Sequence, residues 1–379
     1  VVVEAKPPPR PSVTWYDRAV TIRQKYENDV PELFVCNVLN VASDGRQLRY
    51  GSIGMPENLW GPWREVGEAV DPEAASTVTA ANVGMLAPAV LLDILEHFTL
   101  FAVDGKKRLI KVVCRYQQYQ GTNLIVDRVA DPDAPKKGLI WHFQGSGKSY
   151  LMVFAAKKLR LHPALGNPAV LVVVDRVDLD TQIGNTFHGA KVENLVKART
   201  RAELKAMLRA DTKKVIITTI FRFGDESAKQ EANRLLRWAN TRIRKGLLDE
   251  AETFLLDCAE LLASLKPDDG QTLRDRFATL RQTFEQAAGK ALALPEPPPA
   301  TVDASTEDGE ESTQMVPLNE ADNVIVLVDE AHRTQEGDLG LKMKGALPNA
   351  SFFGLTGTPI NKRDRNTFNT FGARCDEGR

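Results

Sequence analysis

The stretch Leu139-Ile-Trp-His-Phe-Gln144-Gly145-Ser146-Gly147-Lys148-Ser149, continuing into the helical spacing of residues 150–159, decides how this chain is read. An apolar run that ends in glycines and turns directly into a helix brings several backbone N–H groups, and the positive end of the helix dipole, to one point. Such a point suits a triphosphate. Lys148 would neutralise the β and γ phosphates and Ser149 would ligate Mg²⁺, with Gln144, Gly145, Ser146 and Gly147 forming the cradle. The strict phosphate-loop spacing asks for glycine six positions before the lysine, where this sequence has His142. A plain Gly/Ser turn joining a strand to a helix is the bland alternative.

Outward from the loop, residues 139–143, 170–174, 215–219, 324–328 and 352–355 are short apolar runs rich in β-branched side chains, separated by helical or polar stretches. Strands that are apolar throughout and alternate with helices are what a parallel sheet covered on both faces requires, so the fold class is α/β. The fourth run leads into Asp329-Glu330-Ala331-His332. Two carboxylates at the C-terminal end of a buried strand give Asp329 to hold Mg²⁺ and Glu330 to polarise an attacking water, with His332 placed to sense the γ-phosphate. Alone, the pair also fits a solvated strand end. The fifth run leads into Thr356-Gly357-Thr358, two hydroxyls and a flexible glycine able to bond the acidic pair and relay nucleotide state. Order and spacing put all three groups on one carboxyl edge of the sheet, where α/β proteins bind ligands.

The rest of the chain is organised around this lobe. Residues 31–53 read as a hairpin with Asp44-Gly45 in the turn, and 55–81 as a connector. Val90, Leu91, Ile94, Leu95 and Phe98 recur at helical spacing after Pro88, and a second helix is expected over 111–126. Between the third and fourth strands, 228–244, 247–265 and 271–290 are expected to be helical, the middle one with Leu248, Ala251, Leu255, Cys258, Leu262 and Leu265 on one stripe. Residues 296–322 hold eight acidic residues and no basic one, with three consecutive prolines, and read as a linker.

Composition narrows the class without deciding it. At 379 residues the chain has room for two or three domains, and 49 basic against 50 acidic residues leave any nucleic-acid surface to be local. The four cysteines, Cys36, Cys114, Cys258 and Cys375, form no C-x-x-C pair, which leaves no zinc spacing and points to a reducing, cytoplasmic setting. The longest apolar stretch, 86–103, is broken by Pro88, Asp93, Glu96 and His97, so no membrane segment is expected. The opening run Val1-Val2-Val3 reads as the middle of a strand, so the natural start is expected upstream.

These blocks resemble motifs I, II and III of superfamily two helicases of the DEAH-box type. The wording WHFQGSGKS, VVVDRVDLDTQI, ITTIFRF, VDEAHRTQ and FFGLTGTPI is similar to the motor (restriction) subunit of type I restriction-modification enzymes, over most of the chain outside the helical insertion and acidic linker. The resemblance implies an ATP-driven translocase of double-stranded DNA with a nuclease domain of the PD-(D/E)xK class, working with methyltransferase and specificity subunits. It implies that residues 1–80 are the C-terminal part of that nuclease plus a connector. Residues 85–379 are then the first RecA-like lobe, with 228–295 as insertion and 296–322 as linker.

The same likeness lends meaning to weaker signals. Arg115-Tyr-Gln-Gln118-Tyr119 is similar to the glutamine motif that reads adenine, and the amide of Gln118 can donate to and accept from one base edge. Arg176, in Asp175-Arg176, matches the block with which such motors grip DNA, and would touch a phosphate. Glu4-Ala5-Lys6 resembles the close of the nuclease motif, with Glu4 ligating a divalent metal and Lys6 stabilising the attacking hydroxide or the phosphorane. The Gln-x-x-x-Tyr element expected next fits poorly, since Ile22 stands four residues before Tyr26. The resemblance also leads us to expect a fragment without the second motor lobe, binding ATP weakly and turning it over slowly. The rivals are a stand-alone superfamily two helicase or remodeller without a nuclease, and a nucleotide-binding scaffold module.

Overall fold

The structure, a computed structural model, describes residues 13–63, 84–103, 108–143, 145–174, 183–184, 186–198, 201–210, 213–223, 228–264, 270–294, 317–331, 338–359, 367 and 371. Near the N-terminal end, the Asp17 carboxylate accepts the Thr14 N–H at 2.8 Å while the Thr14 hydroxyl accepts the Asp17 N–H at 3.5 Å, so two otherwise orphan donors are satisfied where α1 (Trp15–Val20) begins. Pro31 opens α2 (Pro31–Val35), taking Leu33 to Val35 out of the hairpin that the sequence suggested for them. The hairpin itself is β1 (Leu39–Ser43) against β2 (Leu48–Ser52), antiparallel. Its turn is made by the Asp44 carboxylate, which accepts the N–H groups of Arg46 and Gln47 at 2.9 and 2.7 Å, and by Gly45 at φ +88°.

Pro88 sits at the first turn of α3 (Pro88–His97), as the spacing predicts. The next helix starts later than expected. β3 (Thr99–Val103) pairs antiparallel with β4 (Leu109–Val113), and only then does α4 (Tyr116–Ala130) begin. Val112 and Val113 pair across to Leu100 and Thr99, a setting that suits β-branched side chains better than a helix does. This strand pair also holds the N-terminal part: the Lys111 ammonium donates to the carbonyls of Val35 and Asn37, each at 2.6 Å, and the buried Tyr50 hydroxyl donates to the Cys114 carbonyl at 2.8 Å.

The lobe that follows is a six-stranded parallel sheet in the order β5-β10-β9-β6-β8-β7. Its elements are β5 (Lys137–Trp141), α5 (Lys148–Leu161), β6 (Ala169–Val174), β7 (Leu195–Lys197), α6 (Arg201–Arg209), β8 (Val215–Thr219), an insertion, β9 (Val324–Val328), α10 (Asp338–Ala346) and β10 (Ser351–Thr356). Alternation along the strands divides the core in two. Val170, Val172, Val174, Ile325, Leu327, Phe353 and Leu355 pack with Phe154 and the other buried residues of α5 on one face. Leu171, Val173, Val324, Val326 and Phe352 pack with Leu204 and Leu208 of α6 and Met343 of α10 on the other. Every residue of β8, β9 and β10 is buried, which explains why these strands read as unbroken apolar runs.

The insertion is α7 (Ala228–Arg244), α8 (Leu248–Ser264) and α9 (Gln271–Ala288), with boundaries close to those expected. Ala251, Leu255, Cys258 and Leu262 of the expected stripe are buried in a core of its own, together with Leu235, Phe254 and Phe284. Residue 265 and most of the acidic segment lie outside the described residues. Among the described residues no helix is long and apolar enough to cross a membrane.

Candidate nucleotide site

The site is built where β5, β10 and β9, neighbours in the sheet, end side by side. After β5 the chain turns through Gly145 and Gly147, both at φ +83°, a left-handed conformation natural for glycine, and enters α5 at Lys148. The Ser146 N–H donates to the Phe143 carbonyl at 3.2 Å, closing the turn. Ser146 is 2% exposed, and its Oγ meets no hydrogen-bond partner among the described residues. A Cβ at Gly145 would meet nothing within 4 Å, so the loop borders open space. A buried hydroxyl in need of a partner, at the N-terminus of a 14-residue helix that starts with a lysine, fits a bound polyphosphate.

The acidic pair comes to the same place. The Asp329 N–H donates to the Val173 carbonyl at 2.8 Å, extending the β9–β6 ladder one residue past the strand, and the Asp329 side chain is buried. Glu330 then takes φ +44°, sparsely populated for a residue with a side chain, and its Oε1 lies 3.6 Å from Lys148 Nζ. The following Ala331 N–H donates to the Leu355 carbonyl at 3.0 Å. Gly354 makes that crossing possible, because a Cβ there would stand 2.8 Å from the Ala331 Cβ. A side chain at residue 354 would push the acidic turn off the sheet.

Between them stands the Thr-Gly-Thr turn. Thr356 is fully buried, and its Oγ1 accepts the Thr358 N–H at 3.1 Å. The turn is also fastened to the phosphate-loop strand: the His142 N–H donates to the Thr356 carbonyl at 3.0 Å, and the Trp141 indole N–H donates to the Gly357 carbonyl at 3.2 Å. Sequence reasoning gave Trp141 and His142 no part in the site. Their position, last on the strand and first beyond it, is the signal that could have found them.

Gln118 lies near the start of α4, 4% exposed. Its Oε1 accepts the Arg115 N–H at 2.8 Å, and its Nε2 donates to the Gly147 carbonyl at 3.0 Å and the Ser146 carbonyl at 3.4 Å. Glu4, Lys6, Gln144, Arg176 and His332 lie outside the described residues.

A parallel sheet with a glycine-lined anion loop after one strand and an acidic pair after another defines a phosphate-loop ATPase lobe of the RecA type. The chain belongs to the SWI2/SNF2 ATPase family, whose sequence model matches residues 117–260 and 270–377. Its relatives are endonuclease subunits of type I restriction enzymes. Over 98% of its length it is 30% identical to the type I restriction enzyme HindI endonuclease subunit of Haemophilus influenzae, covering 30% of that protein. Over 76% of its length it is 29% identical to a protein of Methanocaldococcus jannaschii named, provisionally, as the type I restriction enzyme MjaVIIP endonuclease subunit, covering 29% of it. The chain thus spans less than a third of the length of the curated relatives it matches.

Proposed function

We propose that this chain is the ATP-hydrolysing lobe of a type I restriction endonuclease subunit that moves along double-stranded DNA. What carries the reading is the approach of Lys148 Nζ to Glu330 Oε1, 3.6 Å across the carboxyl edge of one sheet. In this reading Lys148, with the backbone N–H groups of the loop, binds the β and γ phosphates of ATP, and the Ser146 hydroxyl finds its missing partner there. Among the described residues no three His, Cys, Asp or Glu side chains gather as a metal centre, so Ser149 and Asp329 would hold Mg²⁺ jointly with the phosphates. When bound, that ion neutralises charge on the phosphates. Glu330 orients and deprotonates the attacking water, and Lys148 compensates the negative charge that develops. Thr356 and Thr358, tied to β5 through Trp141 and His142, carry changes at the γ-phosphate toward DNA.

The finer roles follow from the same reading: His332 as γ-phosphate sensor, Arg176 on the DNA backbone, Glu4 and Lys6 in a nuclease centre upstream of the lobe. Methyltransferase and specificity subunits are the proposed partners, and the cytoplasm the proposed setting. Glu330→Gln tests the reading. It keeps the volume and removes the base, so ATP affinity stays within about threefold while DNA-stimulated hydrolysis falls about a hundredfold. Retained DNA-stimulated turnover in that variant would contradict the reading.

A further inference from the structure

The inserted helices divide their charge unevenly. In sequence, α7 carries five basic residues and one acidic one, whereas α8 carries five acidic residues and no basic one. The described acids of α8 find cations within the molecule: Glu250 lies 2.6 Å from Arg242, Glu252 accepts Lys290 Nζ at 2.7 Å, and the buried Asp257 faces Arg222 at 3.9 Å. Arg242 is thereby turned toward α8, and the other two cations come from outside α7.

The outer face of α7 is basic. Ala232, Leu235, Leu236 and Ala239 turn inward, and by the helical period Arg234, Arg237 and Arg244 share the opposite side, with Lys245 just past the end. Arg237, Arg244 and Lys245 are exposed, and the Arg234 guanidinium lies over the Trp238 ring at 5.2 Å, which holds that long side chain along the helix. α9 adds the exposed Arg276, whose guanidinium donates to Asn233 Oδ1 of α7. From Arg234 to Lys245 the stripe runs about 16 Å along the helix.

A helix face that only meets water usually mixes signs, gaining i,i+4 pairs, whereas one sign repels itself unless a partner of opposite charge lies against it. Four of these five cations are arginines, whose planar fork matches phosphate. Among the described residues α7 exposes no large apolar side chain, so it lacks the apolar face of a membrane-lying helix and the anchor of a protein interface. A duplex carries one negative charge about every 1.7 Å of its axis, so a stripe of this length meets several phosphates.

The insertion is also rooted beside the nucleotide site. It leaves the lobe after β8, at the carboxyl edge of the sheet, and Arg222 and Asp257 tie α8 to the turn there. Only β6 separates β8 from β9, so this root lies about 10 Å from the acidic turn.

We infer that the outer face of α7, with Arg276, binds the phosphate backbone of double-stranded DNA without reading its bases. The inference rests on the reading of the chain as part of a DNA motor, and adds to it a contact surface outside the lobe.

The test is fluorescence anisotropy on the full chain with a labelled duplex of about 30 base pairs, across a salt series. The triple variant Arg237→Gln, Arg244→Gln, Lys245→Gln removes three exposed charges from the face; the pair Arg237→Gln, Arg244→Gln serves if circular dichroism finds the triple unfolded. As a control, Lys136→Gln, Arg209→Gln, Lys213→Gln removes three exposed charges at the opposite, amino edge of the sheet. Each charge lost from the α7 face should flatten the slope of log affinity against log salt by about one. The α7 triple variant should bind the duplex about tenfold more weakly at about 0.1 M salt, with the control within about threefold of wild type. Equal losses in the two triple variants would make the effect one of net charge and overturn the inference. Unchanged DNA binding with lost binding to phosphatidylserine vesicles would make the face a membrane surface and overturn it too. A wild type that binds the duplex no better than the α7 variant leaves the DNA reading standing and refutes this inference, whereas a wild type that binds no duplex overturns both.

Discussion

Glu330 is the residue at which the proposed chemistry and the backbone strain coincide. Its φ of +44° costs on the order of 1 kcal/mol for a non-glycine residue, and the Lys148 ion pair is what that conformation gains. The reach of Trp141 to the Gly357 carbonyl is a second single-residue feature with a measurable effect. Trp141→Phe keeps most of the ring and loses the N–H, and is expected to lower stability by about 1 kcal/mol in urea unfolding. An unchanged midpoint would leave the bond without energetic weight. These residues differ in how far the sequence revealed them. That Lys148, Ser149, Asp329 and Glu330 lie at strand and helix ends was legible because each ends or follows a continuous apolar run, so strand and loop announce each other. The contacts of the Gln118 amide with the Gly147 and Ser146 carbonyls were not, since nothing in a polar helix start says which loop lies beside it.

At the scale of elements, the join between α3, α4 and α5 depends on one carboxylate. Lys158 Nζ on α5 donates to both Asp93 oxygens on α3 at 2.6 Å and to Asn123 Oδ1 on α4 at 2.7 Å, while His97 Nδ1 lies 2.8 Å from Asp93 Oδ1. Burial pushes the Asp93 carboxyl up, but hydrogen bonds from Lys158, His97 and Tyr119 and the Lys158 charge outweigh it and hold it below its ordinary value. A depressed carboxyl stabilises the fold above the unfolded-state value, near 3.8, and that contribution is lost as pH falls through the folded value. Asp93→Asn should therefore be less stable than wild type near neutrality, with the gap in urea midpoints narrowing below about pH 4. A gap independent of pH would remove Asp93 from this role. The sequence revealed the lobe strands better than the β3–β4 pair. Parallel strands are buried on both faces and read as solid runs, whereas Leu109-Ile-Lys-Val-Val113 is short, partly exposed and followed within three residues by α4, so its β-branched signal merges with the helix pattern. β7, three residues long, is too short to show any period.

At the scale of the whole molecule, the lobe has its two sheet-face cores and the insertion has a third. Between the turn after β8 and α8 of the insertion, Arg222 and Asp257 face each other at 3.9 Å, both almost fully buried. Removing one member of a buried pair is costly, so Asp257→Ala should cost about 3 kcal/mol in urea unfolding while leaving Mg·ATP affinity within about threefold. A large loss of affinity would join the insertion to the nucleotide site. The insertion's three helices were foreseen to within two residues at each end because their apolar stripes close on one another and owe little to the lobe. The loop after β5 and the acidic turn after β9 are proposed to make one site for a triphosphate. Calorimetric titration of Mg·ATP into the full chain and its Lys148→Ala variant tests this most directly. One saturable site is expected in the wild type, weakened about a hundredfold in the variant by the loss of charge-assisted bonds to phosphate. Equal affinity in the two proteins would contradict it.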